Sequence, residues 1–203
     1  MKAFNLIFLV LAGLLFLSCE QQVLPVDLVR YVNHPAHGLT KSKTVGPLKV
    51  ELQYKPHAYV IANELRSNQI EQAVYQKRLE ELAGLQYYNL KISLPKLPGQ
   101  DITTYRVNDP GEEQERLYYL SFQMKENIRL LQGQDTLAPV LYHFERSFDL
   151  SPHRTFVLAF EAPKSEPSKD RTFILDSPIL GTGPLKLKIT AKDLTNIPDL
   201  KLL

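Results

Sequence analysis

Leu48-Lys49-Val50-Glu51-Leu52-Gln53-Tyr54 sets an apolar or aromatic side chain at every second position, with Lys, Glu and Gln between them. Successive side chains of an extended chain point to opposite faces, so this spacing predicts a half-buried β-strand. Val45-Gly46-Pro47 before it reads as a turn, which makes Thr40 to Thr44 the partner strand of a hairpin. The same period of two returns at Tyr88, Leu90, Ile92 and Leu94, and again at Tyr118, Leu120, Phe122 and Met124. Ile128 to Leu131 and Leu137 to Phe144 flank Gln132-Gly133-Gln134-Asp135, which reads as a hairpin connection. Phe156 to Phe160, Phe173 to Leu175, and Leu185, Leu187 and Ile189 supply three more strands. Strands this closely spaced, with turn signals between them, predict a mainly β chain of the α+β class. The expected architecture is an antiparallel β-sandwich or a partly open barrel.

Residues 56–84 break the alternation and read as a two-helix insertion. Pro56 suits the first position of a short helix carrying Tyr59, Ile61, Ala62 and Leu65. A second helix is expected to start at Asn68, with Glu71 three residues on as in a capping box. Its Tyr75, Leu79 and Leu82 stand at i, i+4 and i+7, a stripe that would pack on the sheet. Residues 95–116 hold three prolines and two glycines and read as a long irregular segment, a candidate contact surface. Within it, Asp109-Pro110-Gly111-Glu112 could open a helical turn, because Asp caps and Pro fits the first position. Residues 163–170 read as a solvated loop.

The first residues carry an address. Lys2 is followed by an apolar run from Leu6 to Leu17, then Ser18-Cys19 and the polar Glu20-Gln21-Gln22. A charged start, a short apolar core and a small residue before the cut form the pattern of a secretory signal. The run is too short to span a bilayer, which takes about 20 apolar residues. Phe16-Leu17-Ser18-Cys19 resembles the lipobox of bacterial lipoproteins, with Phe where Leu is usual. Cys19 is the only cysteine, so a disulfide is excluded and lipidation explains its position. The boundaries expected are a signal peptide over 1–18, a lipidated Cys19 with a tether over 19–38, and one strand-rich domain over 39–203. Acyl chains such as palmitate would hold the domain at a membrane, each buried CH₂ contributing about 0.8 kcal/mol. Glu20 after the Cys resembles lipoproteins sent on to an outer membrane.

Charge narrows the partners. Lys plus Arg number 24 against 22 Asp plus Glu, which gives no electrostatic case for nucleic acid. His34 and His37 stand three apart, but Pro35 between them prevents a helix from aiming both at a metal. A third ligand would have to come from His57, His143 or His153, so no metal or cofactor is assigned. Ser147, Ser151 or Ser177 with His143 or His153 could in principle pair as nucleophile and base, yet no Gly-x-Ser-x-Gly elbow is present. Gly181-Thr182-Gly183-Pro184 lacks the Gly-Lys-Ser/Thr of a phosphate loop and reads as a turn into the last strand. Leu141-Tyr142-His143-Phe144-Glu145-Arg146 is the densest cluster. Alternation sets Leu141, His143 and Glu145 on one face, where an imidazole beside a carboxylate could serve as acid or base. On a solvated surface the same residues would only pair across strands.

Tyr142-His143-Phe144-Glu145-Arg146, then Thr155-Phe156-Val157-Leu158, and Gln53-Tyr54-Lys55-Pro56 earlier, resemble uncharacterised lipoproteins of the Bacteroidota type. The resemblance implies an exported, lipid-anchored domain and no established activity, and it transfers no functional residue beyond Cys19. Three readings of function follow. The first is a non-catalytic envelope protein that binds a partner or serves an assembly, held to the membrane through Cys19. The second is a periplasmic or surface hydrolase using His143 and Glu145. The third is a binder of glycan or small ligand, using tyrosines and the 95–116 segment.

Overall fold

The Leu48–Tyr54 alternation forms strand β3 (Leu48–Lys55), with Leu48, Val50 and Leu52 buried and Lys49, Glu51 and Gln53 only partly so. A computed structural model describes residues 22–100, 102–145, 153–163 and 169–203. Cys19, Arg146, Ser147 and Ser151 lie outside the described residues. Ahead of β3 come a short strand β1 (Gln22–Val23) and β2 (Thr40–Val45), the latter pairing antiparallel with β3 through the expected turn. β4 (Leu85–Ser93) then pairs with both β3 and β8 (His153–Glu161), and β7 (Leu141–Glu145) pairs with β8. The result is a five-stranded antiparallel sheet in the order β2-β3-β4-β8-β7.

A second antiparallel sheet has the order β10-β9-β5-β6, built from β5 (Ile128–Gln132), β6 (Asp135–Leu137), β9 (Arg171–Leu175) and β10 (Leu185–Ile189). The hairpin at Gly133-Gln134 is as read from sequence, but it joins β5 to the three-residue β6. The expected Leu137–Phe144 strand is split, and its second half, β7, belongs to the other sheet. Neither sheet closes into a barrel. Tyr88, Leu90, Ile92, Phe156, Leu158 and Phe160 from one sheet face Ile128, Leu130, Phe173, Leu175, Leu187 and Ile189 from the other, giving the inner face of a sandwich.

Three helices form a second core at one end. α1 (Pro25–Asn33), α2 (His57–Leu65) and α3 (Gln72–Leu82) enclose Leu28, Val32, Leu39, Ile61, Ile70 and Leu82. α1 corrects the expected tether over 19–38. Pro25 occupies its first turn, and Leu28 and Val32 stand one turn apart and are fully buried. The chain's other end closes the same core: β1 pairs in parallel with β11 (Asp199–Leu200), and Leu200 is buried beside the helices. The expected start of α3 at Asn68 is also corrected. The helix begins at Gln72, with Glu71 in the cap position making no side-chain cap bond. The stripe is buried, but in the helical core and not on the sheet as expected: Leu82 is buried there, with Tyr75 and Leu79 packed against it.

Where the two cores meet, the sandwich is closed by polar side chains. Tyr88, fully buried, donates to Gln86 Oε1 at 2.8 Å, and Gln86 Nε2 donates to Gln132 Oε1 of the opposite sheet at 3.0 Å. Arg171 of β9 reaches back to the Tyr88 hydroxyl at 3.4 Å and lies 4.4 Å over the Tyr54 ring. Burial drives the Tyr88 hydroxyl pKa well above its ordinary value, so it stays a neutral donor. A last short helix, α5 (Ala191–Thr195), is fixed by a capping box between Thr190 and Asp193. Asp193 also meets Lys41 at 3.0 Å, and it fills the space beside Gly38, whose φ of +76° and close approach admit no Cβ.

Leu28→Ala tests whether α1 is integral. A buried leucine truncation costs about 2–5 kcal/mol, whereas a tether residue would fall within about 0.5 kcal/mol, and urea unfolding separates the two. Acid provides a second check. Partial burial would raise the Asp193 pKa, but the Thr190 amide and Lys41 outweigh it and hold the carboxyl below its ordinary range. Asp170 is held low by Lys188 and by the Ala191 amide. A depressed folded pKa contributes stability that is complete above the unfolded value, about 4, and lost as pH falls through the folded one. Stability is therefore expected to fall below about pH 4. An Asp170→Asn/Asp193→Asn double variant should show a shallower loss in the same denaturant series.

Candidate functional site

The segment that sequence marked as a contact surface folds around a helix. Asp109 accepts from the amides of Gly111 at 2.7 Å and Glu112 at 3.1 Å, and Pro110 fills the first position. These starting signals launch α4 (Pro110–Tyr118), which runs into a π-helical turn over Tyr119–Gln123 and a 3₁₀ turn over Met124–Asn127. The strand expected at Tyr118, Leu120, Phe122 and Met124 is thereby corrected. Leu120 and Met124 are also one helical turn apart, and the helical spacing buries both while Tyr118 and Phe122 face out. α4 buries none of its own residues, an unusual state for a nine-residue helix, since short helices draw most of their stability from packing.

Local bonds hold α4 in place. Arg116 donates to the carbonyls of Tyr105 and Ile102, and Glu112 accepts from the Asn108 amide at 2.8 Å. Arg106, at φ +56°, places its guanidinium 5.0 Å over the Tyr105 ring. Beneath the helix, Tyr119 donates to Asn127 Oδ1 at 2.8 Å and meets the buried Ser177 hydroxyl at 2.9 Å. Burial raises the Tyr119 pKa, keeping the phenol neutral. The Tyr142 hydroxyl of β7 ties to the Leu120 carbonyl, fastening the π turn to the larger sheet. Together these residues frame an open basin of about 870 Å³, lined among others by Arg106, Asn108, Glu112, Arg116, Tyr118 and Gln123. On its rim Tyr118 and Phe122 are each 57 % exposed, with ring centroids 5.3 Å apart. The basin therefore offers two aromatic surfaces beside donors and acceptors of both signs. β4 runs from the helical layer at Leu85 to this end at Ser93, so the basin lies at the opposite end of the sandwich from α1–α3.

His143 and Glu145 do share the exposed face of β7, where their partners on the neighbouring strand are Val157 and Thr155. Ser177, the described serine of the imagined pairs, is 1 % exposed and bonded to Tyr119. His34 and His37 stand together, ring centroids 5.2 Å apart, but no third histidine joins them among the described residues. His37 stacks on Tyr31 at 3.7 Å, His34 Nδ1 accepts from the Ala36 amide, and His57 Nε2 meets the Leu85 carbonyl at 2.7 Å. His153 shares a small cavity of about 160 Å³ with Lys49, Glu51, Lys91 and Ser93, and partial burial, then Lys91, lowers its pKa. Among the described residues no three His, Cys, Asp or Glu converge as a metal site, and no helix is long and apolar enough to cross a membrane. Gly181 and Gly183 both take positive φ in a turn leading to β10, as expected. Of the adjacent tyrosines Tyr118 and Tyr119, Tyr119 points inward and Tyr118 does not, and Tyr88 is likewise buried.

No protein-family profile, curated protein or solved structure matches the chain.

The cap is the weak point of α4. Asp109→Ala should lower stability by about 1 kcal/mol. It should also raise amide exchange across residues 111–118 while leaving β4 and β8 protected, a contrast that hydrogen-exchange mass spectrometry reads directly.

Proposed function

We propose that this chain is an exported envelope protein, held at the outer membrane by acyl chains on Cys19, which acts by binding a protein partner through the α4 basin. The observation that carries the reading is the Tyr118–Phe122 pair, more than half exposed on both rings and bordering an open polar basin. Aromatic anchors rimmed by polar groups are the composition of an interaction hot spot. α4 supports it, because a helix that packs only Leu117 against the core, with no residue fully buried, presents most of its side chains outward. The address is supported by the apolar run from Leu6 to Leu17, the lipobox-like Phe16-Leu17-Ser18-Cys19, and Glu20.

A second reading takes the same basin as a glycan site. Flat aromatic faces stack on the C–H faces of sugar rings, and the Asn108, Gln123, Glu112 and Arg106 side chains are of the kinds that pair with hydroxyls.

Co-purification after cross-linking intact cells tests the first reading, with an affinity tag inserted in the exposed Gly133-Gln134 turn. A stoichiometric envelope partner is expected with wild type. It should be lost in Tyr118→Ala/Phe122→Ala, whose fold should be unchanged, and diminished in Cys19→Ala. Capture of the same partner by the double aromatic variant would refute the basin as its seat. If purified envelope glycan instead raises the melting temperature of wild type and not of that variant, the second reading replaces the first.

A further inference from the structure

The helical end of the molecule carries apolar side chains that its core does not use. Leu24 and Val26 are each 43 % exposed, Leu65 39 % and Leu203 70 %. The segments bearing them meet. Val26 shares one cavity with Ala62 and Arg66, the residue after Leu65. The Lys201 amide donates to the Val23 carbonyl at 2.8 Å, and the Leu203 amide to the Ile70 carbonyl at 3.0 Å. Arg66 and Lys201 are exposed among them; Asp27 is paired with Arg30 at 2.6 Å, and Asp199 stands exposed on β11. Cys19 precedes Gln22, the first residue of β1, by three residues, and three residues reach at most about 10 Å.

We propose that this surface, formed by the start of α1, the end of α2 and the residues after β11, docks on the lipid bilayer. The inference rests on the Cys19 anchor proposed above. Acyl chains inserted in hydrocarbon, with so short a connection, keep this end of the domain within reach of the headgroups. At that depth exposed Leu and Val side chains partition into the interface, and Arg66 and Lys201 meet anionic phosphates. The anchor then does more than retain the protein: it orients it. With the helical layer against the membrane, the α4 basin points away from it, at the far end of β4.

The chain has no tryptophan, so a single Val26→Trp substitution gives an unambiguous reporter. The lipidated variant is placed in vesicles of phosphatidylethanolamine and phosphatidylglycerol carrying brominated acyl chains. Blue-shifted, quenched emission is expected from Val26→Trp, and water-like, unquenched emission from Phe122→Trp at the opposite end. Hydrogen exchange on wild type needs no variant, and should slow at residues 24–26, 65–68 and 201–203 on vesicles while α4 is unchanged. Acylated protein whose Val26→Trp emission stays water-like, with no slowing at those residues, overturns docking and leaves the anchor standing. Slowing that appears only after an envelope protein is added also overturns it, assigning the surface to that protein. Intact mass reads the anchor separately: an unmodified Cys19 removes both proposals.

Discussion

The two sheets are coupled through a chain of buried polar groups, and the shape of the molecule depends on its being complete. Tyr88, Gln86, Gln132 and Arg171 sit where the sandwich would otherwise be open at its helical end. Each is on the inward register of its strand, so none can turn to water without disturbing its pairing. A buried polar group without a partner costs far more than a satisfied one gains, which makes such a network a specifier of alignment between sheets. Slipping one of these strands by one residue would turn these groups outward and put neighbours such as Tyr87, Asn89, Leu131 and Thr172 in their place. The apolar layer beyond, from Leu90 and Phe156 to Phe173 and Ile189, can interdigitate because that alignment is held.

From this junction the molecule extends in two directions with different physical characters. Toward Leu85 it becomes a helical layer with its own apolar core, closed by both ends of the described chain. Toward Ser93 it becomes an irregular cap of α4, the π turn and the 102–109 segment, seated by Ile102, Leu120 and Met124 in the core and tied by carbonyl and side-chain bonds. Rigid strands connect the two, so the proposed contact surface stands on an ordered base while remaining separate from it. π turns inside helices occur often at functional sites, and here one turns Tyr118 and Phe122 outward while seating Tyr119 and Leu120 in the core.

Much of the sandwich was legible because period-two alternation is a direct consequence of strand geometry. β3, β4 and β10 follow from it, β2 from the turn that precedes β3, and β8 and β9 from short apolar runs. The alternation at Tyr118–Met124 misled because Leu117, Leu120 and Met124 also recur at helical spacing, and the decisive signal lay upstream in Asp109-Pro110. α1 was hidden for a similar reason: Pro25, Pro35 and Gly38 suggested a tether, yet Pro25 opens the helix and Leu28 and Val32 form its buried stripe. The split at Leu137–Leu141 could not be read, because a change of sheet leaves no local periodic mark. For the candidate site, the 95–116 segment was legible as irregular, and Asp109-Pro110 as the start of its helix. Its aromatic rim was not, since exposure of Tyr118 and Phe122 depends on which face of a helix the core selects.

The parallel pairing of Gln22–Val23 with Asp199–Leu200 also bears on the order of assembly. Leu28 and Val32 are made early, but Leu200, which completes their enclosure, is made near the other end of the sequence. Closing so long a loop carries a large entropic cost before any contact rewards it, and contacts of such separation form late. A chain emerging from its N-terminus can pack α1 against α2, but the core around them is completed only when Leu200 has followed. The second core is a latch whose two halves lie far apart along the chain, so full enclosure of Leu28 and Val32 waits on Leu200.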